Sequence, residues 1–318
     1  MISVLVFDFE QHREIAAQPQ EIASLCTGPR YAWIDILAEE PAREKALLTS
    51  LGLNEKTIAS IQDLPQEGRF DLYDGGMHLT LSETALRGDQ LDASPLDVVV
   101  AEHFLVTHHR RDLELIGRMK RVSHDDFLKF SQSPGFLLYE LADGLCEIYR
   151  KGLRSFSDAV ESMQANLLSQ SDENIFSRVS ALMRNLLVFR KTVLAAREIL
   201  HELGTRRSKF VSETTQPFLH IAAGTLERLG DDLTVERDVL NEALSLYMGI
   251  VGHRTNRIVR VLTILSMIFL PLTFVTGVYG MNLQIPEAHW PYMYLVFWCL
   301  VVAVGAGMVV FLRRRKWL

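Results

Sequence analysis

The end of the chain is almost without acidic side chains. Residues 251–318 hold one acid, Glu287, and seven bases: Arg254, Arg257, Arg260, Arg313, Arg314, Arg315 and Lys316. Their local charge is therefore +6 (7 − 1), and because the whole chain carries −6, residues 1–250 carry −12. An acidic body joined to a basic, apolar tail is typical of a membrane protein more than of a nucleic-acid-binding one.

Cysteine is scarce, and several common functional motifs are missing. The three cysteines, Cys26, Cys146 and Cys299, form no C-x-x-C pair, which argues against a disulfide framework or a zinc knuckle and fits a reducing cytosolic setting. There is no G-x-x-x-x-G-K, G-x-G-x-x-G or G-x-S-x-G segment. Nucleotide binding and hydrolase chemistry therefore have no motif support, and we expect that the protein is not an enzyme.

Two long uncharged runs stand near the C-terminus. Residues 261–278 and 291–312 contain 18 and 22 residues without a charge. At roughly 1.5 Å per residue, the shorter run is about 27 Å of helix, which nearly crosses a hydrocarbon core of about 30 Å. We therefore predict two transmembrane helices, at about 258–279 and 291–312, with an outer loop at 280–290.

The basic side chains that flank the runs predict the orientation of this hairpin. Three arginines precede the first run, the cluster at 313–316 follows the second, and the connecting loop contains neither Lys nor Arg. By the positive-inside rule, both termini of a multi-pass protein of the plasma (inner) membrane are then cytoplasmic. The basic cluster is better explained as a stop-transfer anchor than as a nucleic-acid patch.

One face of the first predicted span carries polar residues that a simple anchor does not need. The spacings 3, 3, 4, 4 and 3 place six residues on that face: Asn256, Val259, Leu262, Ser266, Leu270 and Thr273. They could line a narrow pore, or they could be ordinary packing with hydroxyls bonded to their own helix. Since one hairpin has no lumen, any transport requires an oligomer. In the second span, Ala303 and Gly307 offer a small-x-x-x-small contact.

The sequence before the first uncharged run has two regions, which differ in their predicted secondary structure. Residues 1–122 predict a mixed α/β domain, with strands at 3–9, 31–37, 70–73, 78–83, 97–101 and 104–108 and helices at 41–51, 55–61 and 111–121. The N-terminal segment MISVLVFDFEQ lacks a basic n-region and predicts a strand rather than a signal peptide. Residues 123–253 predict long stalk helices, at about 135–169, about 173–203 and from about 217 onward, the last running unbroken into the first span. Residues 254–318 are the transmembrane region.

Isolated metal-ligating side chains have simpler explanations. His108 and His109 are adjacent on a predicted strand, so they point to opposite faces and do not share a ligand. His220, His253 and His289 have no ligand spacing, which favours surface or packing roles. Asp231 and Asp232 could attract a divalent cation, although a solvated helix face explains them as well.

The segment TGVYGMNLQIPEAHW, residues 276–290, carries a specific resemblance. Gly280-Met281-Asn282 directly after an apolar span, Pro286-Glu287 a few residues later, and the ending RRRKWL resemble the CorA family of magnesium transport proteins. The run at 256–282 is similar to the pore helix of the family throughout. The first 120 residues match the family in their pattern of predicted strands and helices more than in residue identity.

This resemblance implies a homopentameric funnel: a cytosolic α+β domain, long stalk helices and a two-helix transmembrane hairpin. By similarity, Gly280, Met281 and Asn282 form the selectivity mouth, and Asn256, Val259, Leu262, Leu270 and Thr273 match pore-lining positions of the family. The cargo implied is Mg²⁺, with Co²⁺ and Ni²⁺ as further ions. The partners implied are copies of the same chain, the lipid bilayer and divalent cations, and no nucleic acid or cofactor.

The chemistry of Mg²⁺ fits the outer mouth. Mg²⁺ holds its waters reluctantly, so a ring of neutral Asn282 amides can bind the hydrated ion through those waters. Glu287 can raise the local cation concentration, and Leu262 and Leu270 can act as apolar constrictions that gate by dewetting. One departure is that Ile221 stands where the family carries a regulatory acid of the stalk. The site has therefore moved, for example toward Asp231 or Asp232, or regulation differs here.

Two other functions compete with magnesium transport. A zinc-transporting branch shares the fold but alters the middle residue of the tripeptide, so Met281 argues against it. A membrane-anchored sensor or scaffold would use the hairpin only as a tether. The polar face, the tripeptide and the short loop argue against that hypothesis.

Overall fold

The computed structural model describes residues 1–11, 13–18, 22, 30–62, 68–73, 75–87, 90–121, 135–169, 175–281, 291–315 and 317. These residues divide into two compact units, Met1–Ala243 and Leu244–Leu318. Each unit is described by itself below.

Unit 1 contains a mixed β-sheet. Its strands are β1 (Ile2–Asp8), β2 (Arg13–Ala16), β3 (Arg30–Leu37), β4 (Phe70–Tyr73), β5 (Gly76–Arg87), β6 (Gln90–Val100) and β7 (Phe104–His109). The strand order is β2-β1-β3-β7-β6-β5-β4. Among the pairs that the structure describes, β3 with β7 is parallel, and the others are antiparallel. This confirms the mixed α/β prediction and the predicted hairpin between β6 and β7.

Helices cover both faces of this sheet. On one face, α1 (Pro41–Ser50) and α2 (Glu55–Gln62) pack on an apolar cluster that includes Val4, Val6, Ile34, Ile36, Val99 and Val106, together with Leu48 and Ile58 of the helices. A further helix, α3, covers 114–121. The long helices α4 (Gly135–Ser169) and α5 (Ile175–Thr205) pack on the other face. There the Tyr149 hydroxyl donates to the Ser82 carbonyl at 2.6 Å.

Aromatic side chains connect the long helices of unit 1 to one another and to the sheet. The Phe189 ring lies 5.4 Å from that of Phe156 and 5.7 Å from that of Tyr149. The Phe7 ring of β1 meets Phe136 edge-on at 5.3 Å. Because aromatic pairs add roughly 0.5–1.5 kcal/mol beyond their buried area, these contacts stabilise the helical layer against the sheet.

Asp35 is the centre of a buried polar cluster on the helix-covered sheet. Its carboxylate accepts hydrogen bonds from the Thr107 hydroxyl at 2.7 Å, His109 Nε2 at 3.0 Å and Lys120 Nζ at 2.6 Å. The Trp33 indole donates to the same threonine at 3.1 Å. Burial alone would raise the pKa of Asp35, but these donors outweigh it and lower that pKa. The cluster therefore holds a carboxylate ionised inside the domain.

The longest helix contributes to both units. Helix α6 runs from Gln216–Tyr279 without a break, 64 residues that contain Pro271. This confirms the predicted passage of the stalk helix into the first apolar run. Helix α7 covers Met293–Arg314. Both helices are long and apolar enough to cross a membrane by length and composition.

Three strands differ clearly from the sequence prediction. β5 covers Gly76–Arg87, twice the predicted length of 78–83. β2 was not predicted, since its four residues, REIA, show little alternation of apolar and polar side chains. β6 begins at Gln90 rather than at 97 and contains Pro95, which lowers the expectation of a strand. Pro95 pairs with Ser82 on β5 and lies just beyond the last β6–β7 pair, Leu96 with His109. Only one side of β6 is paired at that position, which makes the proline tolerable there.

Candidate functional site

The six polar and apolar residues predicted to share a helical face do so on α6. At 3.6 residues per turn, each residue turns the helix by about 100°, and the six fall within about 120° of one another. We call this set the pore face: Asn256, Val259, Leu262, Ser266, Leu270 and Thr273. All six are exposed in the single chain, with Leu262 at 63% and Leu270 at 72%. The pore face is therefore not used for packing within the chain.

The opposite face of α6 carries the packing of unit 2. Four half-buried residues, Ile264, Ile268, Leu272 and Val275, follow one another at helical spacing. Tyr279 continues the same stripe, and its ring meets that of Phe297 on α7 edge-on at 5.5 Å. This packing face was missed in the sequence, although its spacings of 4, 4, 3 and 4 could have been found there.

Helix α7 presents a matching stripe. Its half-buried or buried residues at helical spacing are Met293, Phe297, Val301, Val304, Met308 and Leu312. Ala303 and Gly307 lie outside this stripe and are exposed, and a Cβ added to Gly307 would meet nothing within 4 Å. The predicted small-x-x-x-small pair is thus not part of the described contact between α6 and α7.

Hydroxyl groups on the first span divide into two kinds. Thr263 donates to the Val259 carbonyl at 2.8 Å, and Thr276 donates to the Leu272 and Thr273 carbonyls, each at 3.0 Å. These are bonds back to the same helix, as the packing alternative supposes. Among the hydrogen bonds of the described residues, none is donated by the hydroxyl of Ser266 or Thr273. The pore-face hydroxyls therefore remain available to water or an ion.

Two of the three basic residues before the span are turned away from the pore face. By the same helical geometry, Arg254 and Arg257 lie on the side of α6 that carries the packing face. Arg260, four residues after Asn256, instead lies about 40° from it at the edge of the pore face. All three are exposed. The guanidinium groups therefore lie beside or behind the pore face, and that of Arg260 is the nearest to Asn256.

The end of α6 leads into the predicted mouth. The Gly280 N–H donates to the Thr276 carbonyl at 2.9 Å and to the Gly277 carbonyl at 3.2 Å, and the Met281 N–H reaches the Val278 carbonyl at 3.4 Å. A Cβ at position 280 would lie 3.0 Å from the Thr276 carbonyl oxygen, so the last turn favours glycine here. Asn282 and Glu287 lie outside the described residues.

The candidate regulatory acids are unremarkable in this structure. Asp231 and Asp232 are exposed on α6. No group of three or more His, Cys, Asp or Glu side chains is placed to hold a metal ion in the part of the chain that the structure describes. Their geometry therefore gives them no advantage over other surface acids.

Sequence comparison places this geometry in a family. The model described as CorA-like Mg²⁺ transporter protein matches residues 29–314, which is most of the chain. The chain belongs to the CorA-like Mg²⁺ transporter family. This is a family of membrane transporters, so the predicted resemblance and the expectation of a transport protein rather than an enzyme are confirmed.

Named relatives agree with this membership, and a solved structure agrees with the fold. The cobalt/magnesium transport protein CorA of Thermotoga maritima is 24% identical over 271 residues, 84% of this chain and 77% of that protein. The putative metal ion transporter YfjQ of Bacillus subtilis is 26% identical over 288 residues, 90% and 89% of the two chains. The complete CorA magnesium transporter structure from Methanocaldococcus jannaschii covers 100% of this chain and 99% of its own, with a TM-score of 0.86 at 20% identity. This likeness confirms the predicted fold.

Proposed function

We propose that the protein assembles as a homopentamer and conducts Mg²⁺, with Co²⁺ as a second ion, across the plasma membrane. The observation that carries this proposal is the exposed pore face of α6, opposite the face that packs on α7. An exposed face with polar groups is costly in lipid but useful if copies of α6 surround an aqueous path. The names of the relatives, which mention cobalt and magnesium, support the choice of ions.

Residues take roles along this path according to their position. Gly280, Met281 and Asn282 form the outer mouth, where amide oxygens bind the hydrated ion through its waters. Glu287 attracts cations to the loop. Farther along α6, Leu262 and Leu270 form apolar constrictions. Ser266 offers a polar contact between them, and Asn256 and Thr273 offer polar contacts on either side.

The membrane potential supplies the driving force in this proposal. Moving one elementary charge through 100 mV is worth about 2.3 kcal/mol, so a divalent ion gains about 4.6 kcal/mol. Entry of Mg²⁺ then needs no nucleotide hydrolysis, in keeping with the lack of nucleotide-binding motifs in the sequence. We further propose that both termini lie in the cytoplasm, with 1–122 as the α/β domain, 123–253 as the stalk and 254–318 as the membrane region.

The test is Mg²⁺ flux into liposomes that contain the purified full-length protein and an internal Mg²⁺-sensitive dye. We expect Mg²⁺ to enter down its gradient and Asn282→Ala to abolish entry while the oligomer still assembles. His289→Ala, in the same loop, is the matched control and should conduct normally. Co²⁺ and Zn²⁺ are compared under the same gradient.

The other outcomes decide between the alternatives. Zinc flux without magnesium flux would assign the protein to the zinc-transporting branch. A well-assembled oligomer that passes no ion would favour a membrane-anchored sensor or scaffold. Normal flux through Asn282→Ala would remove the proposed mouth from the ion path.

A further inference from the structure

Two histidines from different helices lie side by side in unit 1. His201 is one turn before the end of α5, and His220 is one turn after the start of α6. Their ring centres are 5.8 Å apart and the rings are tilted by 42°. His201 is half-buried and His220 is exposed, so the pair is accessible to solvent. Sequence spacing could not reveal the pair, because 18 residues of helix end, connection and helix start separate the two positions.

Close backbone packing holds the pair in place. A Cβ added to Gly204 would lie 3.1 Å from the backbone nitrogen of His220 and 3.3 Å from the Gln216 carbonyl oxygen. The Gln216 amide also donates to the Arg206 carbonyl at 3.1 Å, which ties the start of α6 to the end of α5. The two rings are therefore carried by helix ends whose separation is fixed by backbone contact.

The ring nitrogens are available to a ligand. Within the described residues, no hydrogen bond or ion pair involves the ring of His201 or the ring of His220. Glu202, next to His201, is paired with Arg206 at 3.5 Å. The neighbouring carboxylate is thus neutralised by an arginine, while the two imidazoles have no protein partner there.

We propose that His201 and His220 together bind a transition-metal ion of the Co²⁺ or Ni²⁺ class. Two imidazoles that share one ion at metal–nitrogen distances of about 2.0–2.1 Å hold their ring centres roughly 5–6 Å apart, as this pair does. Imidazole suits Co²⁺, Ni²⁺ and Zn²⁺, whereas Mg²⁺ takes oxygen ligands. Since no third protein ligand is placed nearby among the described residues, water completes the coordination shell.

This site is distinct from the proposed ion path. It lies in unit 1 and depends on neither the pore face nor the residues of the outer mouth. It also differs from an acidic magnesium site, because its two ligands are nitrogen atoms. In a protein that conducts Mg²⁺ and Co²⁺, this pair would be a site that binds Co²⁺, the softer ion, in preference to Mg²⁺.

The experiment is titration calorimetry of the full-length protein with NiCl₂ in a large excess of Mg²⁺, which occupies oxygen-ligand sites. We expect saturable Ni²⁺ binding, weaker binding of Co²⁺ in the usual order of these ions, and loss of affinity by about tenfold or more in His201→Ala and in His220→Ala. His103→Ala and His253→Ala, both at exposed positions, are matched controls and should bind Ni²⁺ as the wild type does.

A second measurement does not depend on the variants folding. Carbethoxylation by diethyl pyrocarbonate, followed by mass spectrometry, should show that Ni²⁺ protects His201 and His220 but not His103 or His253. An unchanged Ni²⁺ isotherm in the double variant would overturn the proposal, as would equal labelling of His201 and His220 with and without Ni²⁺. Because neither readout measures flux, failure here and failure of the proposed transport are distinguishable.

Discussion

His108 and His109 are neighbours on β7, yet their rings lie on opposite faces of the sheet and bind carboxylates from different elements. His108 Nε2 lies 3.2 Å from Glu44 of α1, and His109 Nε2 lies 3.0 Å from Asp35 of β3. The alternation of side chains along a strand predicts this arrangement. It confirms that the two histidines do not share a metal ligand role.

The two histidines differ in the direction of their pKa shifts. Burial lowers the pKa of His108, and the single contact with Glu44 does not restore it. Burial also acts to lower the pKa of His109, but the Asp35 carboxylate and the Arg111 carbonyl, which lies 2.6 Å from Nδ1, more than offset this and raise that pKa. Since both ring nitrogens of His109 face acceptors, its imidazolium form is the one that fits the site.

His109→Gln should change how stability depends on pH above 6.5, the ordinary pKa of histidine. A raised pKa in the folded state contributes stability that is fully present below the unfolded pKa of 6.5 and lost as pH rises through the folded pKa. Because the pKa of Asp35 is lowered in the folded state, the stability that its carboxylate contributes is present at every pH above its ordinary pKa of 3.8. The thermal midpoint of the wild type should therefore fall from pH 6 toward pH 9 more steeply than that of His109→Gln. Parallel midpoint curves would contradict this assignment.

His108→Gln should change how stability depends on pH below 6.5, the ordinary pKa of histidine. A histidine whose folded pKa is lowered costs stability as pH falls below 6.5, because the unfolded chain takes up the proton first. The variant should consequently lose less stability than the wild type between pH 6.5 and 5 in thermal melts. His103→Gln, at an exposed position, serves as the control and should follow the wild type. If the thermal midpoint of His108→Gln fell as steeply as that of the wild type between pH 6.5 and 5, the buried His108 ring would not be neutral.

Elements with a strong hydrophobic periodicity were predicted correctly from the sequence. Strands that form because of tertiary pairing were missed. The helix Gly135–Ser169 was predicted at its observed bounds, and the passage of α6 into the first span followed from the absence of proline before Pro271. β2 and the first half of β6 were missed because pairing with β1 and β5, rather than their own residues, makes them strands.

The candidate site shows the same division. Helical spacing alone collected the six residues of the pore face, since they belong to one element. Which face of α6 packs on α7 required the position of Phe297 against Tyr279. The meeting of His201 and His220 required the packing of α5 on α6 at Gly204. A stripe on one helix can be found from its spacing, but the contact of two side chains from different helices has no local signal in the sequence.

Leu270→Ala should ease gating in the proposed pore. Leu270 is 72% exposed on the pore face, and an apolar constriction closes by excluding water, so a smaller side chain should let water and ions pass more readily. The measurement is the rate of Mg²⁺ entry into liposomes under conditions in which the wild type conducts slowly. Leu265→Ala removes the same side chain from a residue that is 52% exposed on α6 but outside the pore face. Equal rates in Leu270→Ala and Leu265→Ala would exclude a gate at Leu270.

Gly280→Ala should slow Mg²⁺ flux without preventing assembly. The added Cβ would lie 3.0 Å from the Thr276 carbonyl oxygen, a backbone atom that can yield only if the last turn of α6 shifts. That turn is closed by the Gly280 N–H at 2.9 Å from the same oxygen, and the proposed ligand Asn282 follows two residues later.

A shift of this turn would misplace a ring of amides that must meet a hydrated ion through ordered waters, so we expect a loss of several-fold in flux. Gly307→Ala is the matched control, because a Cβ there meets nothing within 4 Å, and it should conduct as the wild type does. If Gly280→Ala and Gly307→Ala gave the same normal flux in assembled oligomers, the geometry of the last turn of α6 would have no part in ion entry. Reduced flux in the first alone would connect the proposed mouth to the backbone of the helix that precedes it.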